Sequence, residues 1–155
     1  MAQEQWLRKT INLAHKHVGY YQGEPFAAIV VQGGSIVGQG TDLVAERKDP
    51  TAHAEIEAIR EACQVLGTTD LSGCILYTSA HPCPMCLAAA YWAGIEAVYF
   101  VYSLEELAAA GLGAGGEMYE QLALPIGERS ITMAQLANPN PDKDPLALWQ
   151  ELQGQ

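Results

Sequence analysis

Positive charge is what this chain has least of. Eight Lys and Arg stand against 18 Asp and Glu, a formal charge of -10, and the eight are scattered, so no basic stripe forms that could neutralise a phosphate backbone. That excludes nucleic acid as the expected ligand and favours a small, neutral or weakly charged one. Long apolar runs are missing as well: no stretch approaches the roughly 20 residues of a membrane-spanning helix, and Met1 to Arg8 has no apolar core of signal-peptide length. A cytoplasmic protein without membrane contact is therefore expected. Cysteine is sparse, four in 155 residues, which in a reducing compartment argues against a disulfide framework. Internal repeats and low-complexity linkers are absent too, so one domain over residues 1–155 is expected, long enough to bury roughly two-thirds of its unfolded surface.

What is present is a balance typical of a mixed α/β chain, with 49% apolar residues and 15 Gly. Trp6, Leu7, Thr10, Ile11, Ala14 and Val18 recur at helical spacing and predict an amphipathic helix ending near Gly19. His15 and His17 lie two apart on it, point to different faces, and read as solvated surface residues rather than a second metal site. Pro25 to Val31 is a continuous apolar strand, Gly33-Gly34 a hairpin link, and Ser35 to Gly40 a second strand. A helix is predicted from Thr51, capped by Asp49 or Thr51, with Ala52, Ile56, Ile59, Cys63 and Leu66 as its apolar stripe and Gly67 as its stop. Cys74 to Ser79, Pro84 to Ala93 and Ala97 to Tyr102 then read as strand, helix and strand, a right-handed parallel crossover. Cys63 and Cys74 are expected as buried small hydrophobes. After Tyr102 the pattern weakens: a helix over 104–110, a flexible loop over 111–116, a short helix over 117–122, a final strand over 130–133, a loop over 138–145 and a terminal helix over 146–152.

The chemistry sits in Pro82-Cys83-Pro84-Met85-Cys86, read with His53-Ala54-Glu55 thirty residues upstream. Two thiolates and one imidazole make a three-ligand set, and three protein ligands leave a tetrahedral zinc one open position for water, the count of a catalytic site. His53 and Glu55 fall in the first turn of their helix. In mid-helix, positions two apart diverge by about 200° and could not address one metal, but at a helix tip the metal lies beyond the end of the axis. Cys83 and Cys86 open a second helix at the carboxyl end of a strand, where open α/β sheets build their sites, and two facing helix N-termini favour thiolates. Other readings remain at this point. A redox dithiol would not need a His-x-Glu at another helix tip, and a structural zinc would want a fourth ligand. His81 is the one neighbour that could supply it, and as a ligand it would close the metal and leave Glu55 without a purpose.

Asp49-Pro50-Thr51-Ala52-His53-Ala54-Glu55 and Tyr77-Thr78-Ser79, followed by Pro82 to Cys86, resemble the cytidine deaminase superfamily, and within it bacterial guanine deaminases most, with tRNA adenosine deaminases next. The likeness runs from Trp6 to about Tyr119. It implies a three-layer α/β/α sandwich with a mixed five-stranded sheet, a homodimer, one zinc per chain, and hydrolytic loss of ammonia from a small nucleobase-like substrate. Guanine to xanthine stands first, ahead of another aminopurine, an aminopyrimidine, a pterin or a triazine. The resemblance also implies roles: His53, Cys83 and Cys86 as zinc ligands, Glu55 as proton carrier, the Ala54 N–H as a donor to the ring, and Phe26 and Trp92 packed against it. It brings Asp42 to the pocket edge, where the alternative is a turn carboxylate capping a nearby N–H. Three positions depart from the pattern. Asp42 stands where the relatives usually have Asn, Gly113-Ala114-Gly115 replaces a stretch where guanine enzymes carry an Asp, and His81 stands where a Glu usually precedes the Pro-Cys. A tRNA editor would need a basic, aromatic-lined surface that the charge argues against, and a catalytically dead zinc protein would be expected to have lost Glu55.

Overall fold

Where the apolar runs of the sequence alternate with helical periods, the described residues form four strands and seven α-helices. The computed structural model describes residues 2–154. Its helices are α1 (Ala2–Tyr21), α2 (Val44–Arg47), α3 (Ala54–Leu66), α4 (Pro84–Ala93), α5 (Leu104–Ala109), α6 (Ala114–Ala123) and α7 (Pro145–Gln153), and its strands are β1 (Ala27–Gln32), β2 (Ser35–Thr41), β3 (Ile75–Ala80) and β4 (Ala97–Tyr102). Two compact units are distinguished, the first ending at Gln121 and the second beginning at Leu122.

In the first unit the sheet runs β2-β1-β3-β4, with β1 antiparallel to β2 and β3, and β3 parallel to β4. The expected α/β class and mixed sheet are present, but the sheet has four strands among the described residues, not five. Residues 130–133, expected as a strand, form a bend and irregular backbone, and Ile131 and Met133 are largely exposed. Four residues of suitable composition make a strand only where a neighbouring edge pairs with them, and none does here.

Alternation along the central strands sorts the core into two layers. Ala28, Val30 and Leu76 face a cluster with Ala54, Ala58, Ile59 and Ala62 of α3 and Ala90 and Ala93 of α4. Ile29, Val31 and Tyr77 point the other way, to Trp6, Leu7 and Leu13 of α1. Helices on both faces of one sheet give the three-layer arrangement. Cys74 is fully buried in the α3/α4 layer, and Cys63 is half-buried against it.

The closest approach between layers is made by glycine. A Cβ on Gly40 would lie 2.3 Å from Ala54 O and 2.8 Å from Ala58 N, and one on Gly38 2.2 Å from Ala58 O and 2.7 Å from Ala62 N. Ala54, Ala58 and Ala62 recur every fourth residue on one face of α3, all without solvent exposure. The helix therefore rests on β2 backbone to backbone.

Local chemistry shifts several predicted boundaries. α3 starts at Ala54 rather than Thr51, because Thr51 N and Oγ1 both donate to Asp49 Oδ1 (2.8 and 2.7 Å) and His53 N donates to Thr51 O (2.8 Å), which holds this stretch in turns. His53 becomes the N-cap in extended conformation (φ -70, ψ 155), and Gly67 ends the helix at φ 65, as expected. α4 and β4 span the predicted residues, with Pro84 in the first turn of α4. α6 begins at Ala114, so the loop expected over 111–116 is shorter. α1 continues past Gly19 to Tyr21. His15 is exposed as expected, but His17 is only 7% exposed; its ring lies where a Cβ on Gly23 would come within 2.2 Å of Nε2.

In the second unit, Arg129 Nε and Nη2 donate to Leu124 O (3.0 Å) and Leu122 O (3.1 Å). Asp144 caps α7 by accepting from Leu146 N and Ala147 N, with Pro145 in the first turn. Among the described residues no helix is long and apolar enough to cross a membrane.

Candidate active site

Two helix starts converge at the carboxyl end of β3. His53 is the N-cap of α3, Cys83 the N-cap of α4, and Cys86 the third residue of α4. Their ligand atoms lie within 4.8 Å of one another and form a group of three metal-capable side chains. His53 Nδ1 is 3.6 Å from Cys83 Sγ and 3.5 Å from Cys86 Sγ. Zinc with bonds of about 2.3 Å to sulfur and about 2.0–2.1 Å to nitrogen, at tetrahedral angles, spaces such atoms about 3.6 Å apart. The geometry fits zinc, one ion per chain. Protonation points the same way. Cys83 is lowered to about 4, first by the thiol of Cys86 donating to it and then by His53. Cys86 is pushed up because its proton serves Cys83 and because it is buried, and the bond to Cys83 raises His53 against the opposing effect of burial. Three groups that turn to one another, with one sulfur already a thiolate, are a donor set suited to a cation.

Glu55, the second residue of α3, is 5% exposed. Burial raises its pKa, and a hydrogen bond from Thr78 opposes the rise. Thr78 Oγ1 donates to Glu55 Oε1 at 2.7 Å from the middle of β3. Thr78 lies in the Tyr77-Thr78-Ser79 stretch that carries the resemblance, which assigns it no role. Its signal is burial: a hydroxyl in the middle of a central strand needs a partner.

Beside the metal ligands lies a cavity of about 290 Å³, reached by Glu55, Phe26, Asp42 and His81. Leu104 and Leu107 of α5, Leu112 of the α5–α6 connection and Met118 of α6 complete an apolar wall that the weak periodicity after Tyr102 did not reveal. Asp42 lines the cavity and also accepts from Val44 N at 3.3 Å, so the pocket-edge and turn-cap expectations describe the same side chain. Ala54 is the first residue of α3 and fully buried, and the leading N–H groups of a helix have no intrahelical partner. Trp92 does not join this cavity. It is 89% exposed near the far end of α4, about 12 Å of helix rise from Pro84, so the ring-packing role expected of it is not met within this chain.

His81 is not a fourth ligand. Its Nδ1 is 2.9 Å from Pro82 O, and its ring packs edge-on against Phe100 and Tyr119, with centroids 4.8 and 5.6 Å away. Tyr119 also donates to Pro82 O, at 2.8 Å. Gly113 and Gly115 line the cavity, and a Cβ on Gly115 would lie 3.5 Å from Cys83 Cβ.

Comparison with known proteins agrees with this geometry. Guanine deaminase of Bacillus subtilis is 43% identical over 136 residues, 88% of this chain and 86% of that protein. A tRNA-specific adenosine deaminase of Aquifex aeolicus is 43% identical over 101 residues, 64% of this chain and 66% of that protein. The X-ray structure of guanine deaminase from Bacillus subtilis superposes with a TM-score of 0.87 at 39% identity, covering 98% of this chain and 94% of that one. The family described by the cytidine and deoxycytidylate deaminase zinc-binding region matches residues 1–102, which take in both helix starts and all four strands. The chain belongs to this family of zinc-dependent hydrolytic deaminases.

Proposed function

We propose that this enzyme hydrolytically removes an amino group from a small aminated heterocycle, with guanine to xanthine plus ammonia as its reaction. One observation carries the reading: a buried carboxylate, Glu55, shares a small cavity with a three-ligand zinc set. The likeness to guanine deaminase over 88% of the chain supports guanine over the aminopyrimidine, pterin and triazine alternatives. Zinc, when bound, supplies a water made nucleophilic at neutral pH. Glu55 would carry the protons: it takes one from the attacking water and gives it to a ring nitrogen, then takes the second from the newly added hydroxyl and gives it to the departing amine. Burial raises its proton affinity toward that task, and Thr78 holds Oε1 so that the carboxylate keeps one orientation. The N–H of Ala54 donates to the ring, Phe26 packs against it, and the leucine wall keeps bulk water out.

No Lys or Arg lines the cavity, which disfavours a tRNA substrate of the kind the Aquifex relative's name describes. We read the chain as a single functional domain acting as a cytoplasmic homodimer in purine metabolism. Exposed Tyr91, Trp92 and the outward residues of β4 are apolar surface that a second copy would cover. Replacing Glu55 by Gln tests the reaction. Zinc content and Tm should stay as in the wild type while kcat for ammonia release from guanine falls by roughly 10²- to 10⁴-fold; near-normal turnover would demote Glu55 to a structural residue.

A further inference from the structure

The polar side chains of the cavity are almost all hydrogen-bond acceptors. With His53 and Cys83 committed to the metal set, those left to meet a substrate are Glu24, Asp42, Glu55 and His81. Among the described residues no Lys, Arg, Asn, Gln, Ser, Thr or Tyr lines it. An ionised carboxylate only accepts, and Asp42 is held in place by the N–H of Val44. His81 is fixed as well. Pro82 O can only accept, so the 2.9 Å contact puts a proton on Nδ1, and in that tautomer Nε2 carries the lone pair. Phe100 and Tyr119 pack against that ring and hold its orientation. An adjoining cavity of about 370 Å³ shares Glu24, Phe26, Asp42 and His53, adds the carboxylate of Glu46, and again contains no Lys or Arg.

We infer that the site selects rings that present N–H groups to Asp42 and His81, so that a purine with two amino groups is a better substrate than one in which a carbonyl replaces the second. This rests on the aminopurine deaminase reading and specifies which aminopurines. Water adds at one amino-bearing carbon, the C–N bond breaks and ammonia leaves. The second amino group stays on the ring and donates to the acceptors that hold it. A carbonyl in its place would set lone pair against lone pair at the half-buried Asp42 and His81. Phosphate-bearing substrates are disfavoured by the same lining.

The experiment compares guanine with 2,6-diaminopurine by ammonia release, with product identity checked by chromatography, in zinc-loaded wild type, Asp42→Asn and His81→Gln. Wild type should favour the diamino ring in kcat/KM by about tenfold or more, and each substitution, which supplies an amide N–H, should move the ratio toward guanine by about tenfold. The same order should appear in the Kd of the two rings for Glu55→Gln protein. A wild-type ratio near one, or a ratio that neither variant moves, overturns the inference while leaving the aminopurine reading intact. No ammonia from either ring overturns both.

Discussion

Gly40→Ala adds one carbon to β2 at the point where α3 begins. That carbon would stand 2.3 Å from Ala54 O, 2.7 Å from Glu57 Cβ and 2.8 Å from Ala58 N. Two of the three obstacles are backbone, so no side-chain rotation relieves them. Moving from 2.3 Å to an ordinary contact at 3.4 Å requires the start of α3 to withdraw by about 1 Å. Ala54 follows His53 directly, and metal–ligand distances tolerate only about 0.2 Å. The perturbation should act twice. Overpacking should cost about 1–3 kcal/mol of stability, read as a lower Tm of the metal-free protein. The displaced His53 should weaken zinc by roughly 10- to 100-fold, read by competition with a chromophoric chelator. Gly19→Ala is the control: Gly19 lies in α1 with nothing within 4 Å of an added Cβ, and the exchange should leave zinc affinity unchanged and raise stability by up to about 1 kcal/mol. A Gly40→Ala protein with wild-type Tm and wild-type zinc affinity would refute the backbone-on-backbone argument.

Cys86→Ala removes a fully buried member of the metal-capable set; the purified variant should carry well under one zinc per chain and melt earlier, and full zinc occupancy would remove Cys86 from the ligand set. Thr78→Val keeps the shape of a buried side chain but deletes the hydroxyl that donates to Glu55. It should lower kcat about tenfold with little change in KM, and Thr78→Ser should restore most of the rate. Equal losses in Val and Ser variants would make the contribution one of packing.

The metal-capable group was legible because its chemistry is local: Cys83 and Cys86 are three apart on one helix start, and His53 and Glu55 share another. α4 and β4 were legible to the residue because Pro84, Gly94 and an unbroken apolar run mark their ends. What the sequence could not show is long-range. Residues 130–133 have strand composition but no edge to pair with, and only the folded chain decides that. The resemblance implies a pocket role for Trp92, yet helix rise carries it away from the cavity. Thr78 acquires its partner from a residue 23 positions upstream, and the leucine wall comes from helices whose periodicity is too short to read. His17 reads as a surface histidine by pattern and is buried because Gly23 lies over its ring.

The two helix starts come from distant parts of the chain, and that separation has a thermodynamic side. His53 and Cys83 enclose a segment that contains all of α3 and all of β3, the elements that contribute Ala58, Ile59, Ala62 and Leu76 to the larger buried layer. An ion held by both ends behaves as a reversible cross-link around a ring of about 30 residues, and closing such a ring removes roughly 3–4 kcal/mol of disorder from the unfolded chain. Catalytic centre and tether of the core are thus one object. The acidity of two thiols and an imidazole sets how firmly the middle of the sequence is tied, and a chelator that removed the ion would also release this tether.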